Sequence, residues 1–186
     1  MQNQLDRLLA TYCSPTLAGI KPASLVSCDR NLYPDLPQRL RAYREAFSAR
    51  EIRFEIVCAC SARFLLLVYN QPQLERRMAD PQVQHILRRF EYPVGQPLDV
   101  LLRNLKRRIA MCDNFPHEIG LFLGYPIEDV VGFIRYAGKG CKLSGLWKVY
   151  GDAEAASQMF DRLSRVCHAV TKRVDEGETL FQVFAA

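Results

Sequence analysis

The sequence predicts an α+β fold: a small, largely antiparallel sheet of about four strands covered by helices, in one domain over residues 1–186. Three observations carry this. Ile52, Phe54, Ile56 and Cys58 alternate with Arg53, Glu55 and Val57, the period-two pattern of a half-buried strand. Residues 64–69, FLLLVY, are apolar on both faces and read as a more central strand. The short link around residues 60–62 makes the two an antiparallel hairpin. Around them lie helical stripes such as Leu98, Leu101, Leu102, Leu105 and Ile109, with Arg103, Lys106 and Arg107 on the opposite side.

Taken in order, a first helix is expected over 4–10, then a loop, CSPTLAGIKPASLVSCD, punctuated by prolines and a glycine and leading into a strand near 23–28. Asp35 reads as an N-cap with Gln38 at the capping-box position, ahead of Leu36, Leu40, Tyr43 and Phe47 at helical spacing. After the hairpin, two helices fall within 71–92 with a break at Pro81, and another spans 98–112. Residues 116–124 form a short helix that Gly124 helps to end. Pro126 starts the next, with Glu128 and Asp129 in its first turn, where acids suit the helix dipole. Its buried stripe is Val130, Phe133, Ile134 and Ala137, and Gly138 stops it. Residues 141–150 alternate as one strand, with Trp147 on one face and Lys142, Ser144, Lys148 and Tyr150 on the other. Asp152 caps a long last helix whose Ala156, Met159, Phe160, Leu163, Cys167 and Val170 face the core.

Composition narrows the functional classes. No apolar run approaches the roughly 20 residues of a membrane span, so no membrane role is expected. The start MQNQLDRLLATYC lacks a basic segment before a long apolar block, so no signal peptide is expected and the compartment reads as cytoplasmic. Seven scattered cysteines suit reduced thiols. The Cys58-x-Cys60 pair lacks the second ligand pair of a zinc site, and both thiols are expected to face inward on their strand. The charge of +5 is local: residues 76–108 hold eight basic side chains against three acids. Such a face attracts anions, nucleic acid or an acidic partner protein, such as a redox carrier, with Arg103, Lys106 and Arg107 as the partner contacts. The bland alternative is a solvated helix face.

The candidate chemistry centres on residues 114–152, which hold seven glycines and the single tryptophan. His117, with Gly120, Leu121 and Gly124 along one helix side, is the expected acid/base group, glycine letting a ligand or backbone come close. Glu118 points elsewhere and is a candidate ligand-binding group. Cys13 is a candidate nucleophile if a cation such as Lys21 or His117 lowers its pKa. Lys21, Lys148 and Tyr150 are expected to hold a small anionic ligand, in a pocket where the 13–21 loop, the His117 helix and the 141–150 strand converge. Each has a plainer reading as a buried thiol, a helix-start histidine or a solvated strand face. IGLFLGYPIEDVVGFI scans like a helix-turn-helix, but Glu128 and Asp129 at the start of its second helix would repel phosphates, so nucleic-acid binding is not expected.

Three blocks, PTLAGIKPASL, FPHEIGLFLGYPIEDVVGFI and GLWKVYGD, resemble the DUF3793 family, an uncharacterised domain of unknown function common in anaerobic Gram-positive bacteria. The resemblance runs over about residues 13–170 and implies no activity, substrate or cofactor. It implies that Cys13, Lys21, His117, Glu118, Gly124, Tyr125, Trp147, Lys148 and Tyr150 are typical of the group.

Overall fold

The computed structural model describes residues 2–111 and 115–184. In chain order the first elements are α1 (Gln2–Leu17), β1 (Ala23–Asp29), α2 (Leu36–Ala46), β2 (Ile52–Ala59) and β3 (Arg63–Asn70). Then come α3 (Gln71–Ala79), α4 (Pro81–Arg89), α5 (Leu98–Met111), α6 (Ile119–Phe122) and α7 (Ile127–Tyr136). The strands β4 (Leu143–Ser144) and β5 (Lys148–Val149) precede α8 (Ala153–Asp175) and α9 (Leu180–Phe184). The fold is thus α+β, with a three-stranded antiparallel sheet and a two-stranded one. The chain divides into two compact units, one built from Met1–Pro72 with Leu163–Ala186, the other from Gln73–Arg162.

In the first unit the strand order is β1-β3-β2. β3 is central, as its two-sided apolar run demands, and residues 64–69 are all buried. A bulge between Ile56 and Cys58 breaks the β2 register. Val57 turns inward there, so the expectation that Cys58 and Cys60 both face the core is corrected: Cys58 is half-buried and Cys60 exposed.

α1 is longer than its sequence suggests. Leu5, Leu9, Cys13 and Leu17 recur every fourth residue and are essentially fully buried. The helix runs through Pro15, whose missing N–H would have met the carbonyl of exposed Thr11. Burial of Cys13 and Leu17 outweighs that loss. Cys13 is therefore helical, not on a loop. The helix closes in a Schellman motif: Ile20 N–H donates to Pro15 O at 2.7 Å, Gly19 N–H to Thr16 O at 3.0 Å, and Gly19 has φ 71°. α2 buries Leu36, Leu40 and Tyr43 as expected. Its predicted capping box does not form; the Asp35 side chain caps nothing and lies 4.0 Å from Arg39.

In the second unit Asp80 caps α4 through Gln82 N–H at 2.8 Å, which is the break expected at Pro81. α5 buries Leu101, Leu102 and Leu105; its predicted end at Cys112 lies outside the described residues. α6 ends in a second Schellman motif, with Tyr125 N–H on Gly120 O at 2.9 Å and Gly124 at φ 80°. On α7 the buried residues are Asp129, Val130 and Gly132, whereas Phe133 and Ile134 are half-buried and Ala137 is exposed. The helix is rotated from its expected stripe because polar donors draw Asp129 inward. Residues 141–150 are also not one strand. They fold back as the β4–β5 hairpin, pairing Leu143 with Val149 and Ser144 with Lys148. Asp152 caps α8 through the Glu154 and Ala155 N–H groups at 2.9 and 3.0 Å, as expected. Met159, expected in the core, is exposed.

Candidate functional site

The first unit has a polar seam where α1 ends and β1 begins. Ser14, Thr16 and Ser24 are buried there beside Cys13. Thr16 and Ser24 share a hydrogen bond of 2.8 Å, and Ser14 Oγ donates back to Ala10 O. Lys21 follows the Schellman turn and is half-buried. Burial lowers its amine to about 8, and the fields of Cys13 and Cys167 oppose that shift. Desolvation pushes the Cys13 thiol far up, and Lys21 only partly counters it. Burial also raises Cys28 to about 11 and raises Cys167. The fold therefore does bring Lys21 to Cys13, as thiol activation required. Burial thus moves the thiol up, opposite in direction to the lowering that activation would need. The group made unusual is the amine.

The second unit is organised by Asp129, a carboxylate only 3% exposed. Its Oδ2 accepts from Trp147 Nε1 at 2.8 Å, and its Oδ1 from the N–H groups of Tyr150 and Gly151 at 2.7 and 2.8 Å. Trp147 stacks on Tyr125, with centroids 4.7 Å apart, and meets Phe160 edge-on at 4.5 Å. A Cβ on Gly145 would lie 2.3 Å from Phe160, and one on Gly132 2.4 Å from Tyr150. These glycines admit aromatic side chains of the chain itself. The same holds at Gly120, where Val130 and Tyr125 fill the space expected to admit a ligand beside His117.

The remaining site residues of this unit fall into three places. His117 is exposed, its ring edge-on to Phe133 at 4.7 Å. Lys148 Nζ donates to Gly138 O at 2.8 Å, and a Cβ on Gly138 would touch both Phe133 and Lys148. His117 and Lys148 thus flank the same Phe133–Gly138 contact. Tyr150 lies instead over Gly132 and stacks on Tyr136 at 5.8 Å. Burial raises its phenol. Glu118 is buried as an internal anion, 2.5 Å from Arg108 Nε and 3.2 Å from the Tyr92 hydroxyl. The carboxylate expected at a ligand is thus held inside the unit by Arg108 and Tyr92.

The basic stretch is similarly divided. Arg77 donates to Leu121 O and Tyr125 O, and Arg108 holds Glu118. Arg103 pairs with Asp99 at 2.6 Å on the surface of α5. Arg76, Arg88, Arg89 and Arg107 are exposed, and Lys106 is half-buried. A shallow cavity of about 300 Å³ in this unit, lined by Glu75, Met78, Gln84, Gln96, Leu98 and Leu101, contains none of these cations. Among the described residues no cluster of His, Cys, Asp and Glu could hold a metal ion, and no helix is long and apolar enough to cross a membrane.

A family model described as a protein of unknown function, DUF3793, matches residues 9–184. The chain belongs to this family. No curated protein and no solved structure matches it.

In this DUF3793 chain each of the three sequence blocks has a structural account. PTLAGIKPASL supplies the Schellman close of α1 and the polar seam with Lys21. FPHEIGLFLGYPIEDVVGFI supplies the Glu118 pair and Asp129. GLWKVYGD supplies the donors that Asp129 holds and the cap of α8. Sequence reasoning missed Asp129, although Gly132 three residues on marked that helix side as a close-approach face. It missed Cys167 as a neighbour of Lys21, and no local pattern reveals it.

Proposed function

We propose that the protein binds a small anionic ligand at the α1–β1 seam, with the Lys21 ammonium as its anchor. The observation that supports this is the half-buried amine, lowered to about 8 by desolvation and set among thiols that burial keeps neutral. A charged amine in such a place is stabilised when an anion joins it. Lys148, the other cation first considered, donates to Gly138 O in the second unit. His117 is retained as a proton-exchanging group of the second unit, exposed beside Phe133. Free thiols at all six described cysteines favour a cytoplasmic location.

The test is titration of the protein with inorganic phosphate and with acetate, followed by NMR or calorimetry. Binding should be lost in Lys21→Met. In the wild type, acetate affinity should be level from neutrality to pH 8 and fall about tenfold per pH unit above it, as the amine loses its proton. Binding that is indifferent to both changes would sink the proposal.

A second reading is docking of an acidic protein through Arg103, Lys106 and Arg107. The exposure of Arg76, Arg88, Arg89 and Arg107 favours it. Retention of an acidic partner such as a redox carrier should weaken from low to high salt. No retention at low salt removes this reading.

A further inference from the structure

We propose that the C-terminal end of α7 and the β4–β5 hairpin form a binding face for a single-stranded nucleic acid. This goes beyond the anion site at Lys21 and does not depend on it. Two independent observations carry it. The first is charge: residues 130–151 hold Arg135, Lys139, Lys142 and Lys148 and no aspartate or glutamate. Arg135, Lys139 and Lys142 are exposed, and Lys148 is half-buried. Lys142 Nζ donates to Gly151 O and Lys148 Nζ to Gly138 O, both at 2.8 Å. Each bond uses one of an ammonium's three N–H groups and fixes where the charge sits. The second observation is a line of rings in the same unit. Phe115 lies 6.3 Å from His117, and His117 4.7 Å from Phe133. Phe133 and Tyr136 are three residues apart on α7 and so are neighbours on its surface. Tyr136 stacks on Tyr150 at 5.8 Å. Phe115 and Tyr136 are 42% and 50% exposed, and His117 is exposed as well.

Cations and rings are interleaved. The Arg135 guanidinium lies 5.4 Å from the centre of the Tyr136 ring, and a Cβ on Gly138 would touch both Phe133 and Lys148. A cationic row without acids selects a polyanion. Rings set among the cations select one whose charges alternate with flat π-faces, which is a nucleic acid rather than an acidic protein. Those faces are open to stacking only on a single strand. A helix laid in a duplex groove would instead bring phosphate to Glu128, exposed at the start of α7. The helix repels phosphate where it begins and attracts it where it ends. At that end Arg135 and the Lys148 bond to Gly138 O offset the negative pole of the helix dipole. The line is several rings long, so it fits a strand of a few nucleotides better than a free nucleotide.

The experiment follows fluorescence anisotropy of labelled oligo(dT) and oligo(rU), about ten nucleotides long, with the full chain at rising salt. The log–log salt slope should be about −2 to −3, from about 0.7 for each phosphate that three or four cations meet. A duplex of the same length and thymidine monophosphate should each bind at least about tenfold more weakly. Lys139→Gln changes an exposed side chain and should reduce the slope by about 0.7. Tyr136→Ala should weaken binding about fivefold to a hundredfold. Should Tyr136→Ala not fold, Phe115→Ala at the other end of the line is the test, with the same loss expected. No binding at low salt overturns the inference. So does a duplex held as tightly as the single strand, or polyglutamate of matched charge that displaces the strand as well as unlabelled oligonucleotide does, since the face then reads charge alone. A slope that responds to Arg88→Gln or Arg107→Gln and not to Lys139→Gln puts the strand on the earlier basic stretch and overturns it too.

Discussion

Removing the Asp129 carboxylate should unfasten the second unit, and the size of the effect follows from what the carboxylate holds. Three donors converge on it: the Trp147 indole and the Tyr150 and Gly151 N–H groups, all within 2.8 Å. Hydrogen bonds to a charged acceptor are worth about 1.5–3 kcal/mol each. The donors are partly buried, so water recovers some of that when the acceptor goes. Asp129→Ala should therefore cost about 4 kcal/mol. Asp129→Asn keeps the shape. Its one oxygen can still accept from both backbone N–H groups, but its amide would face the indole N–H, donor against donor, for a cost of about 2 kcal/mol. Trp147 is the only tryptophan, and its stack on Tyr125 makes its fluorescence a reporter of this unit. In urea, Asp129→Ala should lower the fluorescence midpoint by about 2 M, taking a slope near 2 kcal/mol per molar. A Trp147→Phe background should absorb most of the extra cost of Asn over Asp, read by circular dichroism. A midpoint shift below roughly 0.5 M for Asp129→Ala would refute the reasoning, because a buried clamp on three donors cannot be that cheap to remove.

Burial lowers the Lys21 amine from 10.5 to about 8, so between those values the folded state binds fewer protons than the unfolded one. Lys21→Met should then be the more stable protein below pH 8, with the wild type regaining about 2–3 kcal/mol on it by pH 10.5; a pH-independent difference in denaturant unfolding would contradict the burial. Ala137 ends α7 in the left-handed region at φ 48° and ψ 42°, and its side chain is exposed. Ala137→Gly should stabilise by about 0.5–1 kcal/mol and raise the thermal midpoint by a few degrees, as the strain relieved exceeds the added chain entropy. Cys60 is exposed, and hydrogen bonds from the Arg63 and Ala62 backbone lower its thiol. It should be the first cysteine alkylated in the native protein, with Cys13 and Cys28 reacting only on unfolding; early loss of Cys13 in a mass-resolved time course would count against its burial.

What the sequence made legible depended on how local its causes are. FLLLVY declares a strand buried on both faces because no other environment suits six apolar residues in a row, and β3 is central. Asp80, Gly124 and Asp152 mark helix ends because capping needs only neighbours in sequence. The errors arose where distant groups overrode a local rule. Pro15 suggested a loop, yet the stripe from Leu5 to Leu17 carries the helix past it. Period-two alternation over 141–150 suggested one strand, but Gly145 sits against Phe160 and the chain turns back there. The first-turn position of Asp129 suggests only a match to the helix dipole, because its three donors come from residues 147–151. The environment of Lys21 includes Cys167, almost the length of the chain away, and no spacing rule spans that distance.

The first unit is not continuous in sequence. Its core joins Leu5, Leu9, Cys13, Val26, Leu40 and Leu66 to Val170, Val174, Leu180 and Val183, with all of Gln73–Arg162 intervening. On a growing chain the second unit is therefore complete, and free to close around Asp129, while the three-stranded sheet still lacks part of its apolar covering. During that interval the half-built unit presents sheet-forming and hydrophobic surface that aggregates if neighbours find it first. The order of synthesis sets the order of completion: the unit that begins first is the one that finishes last.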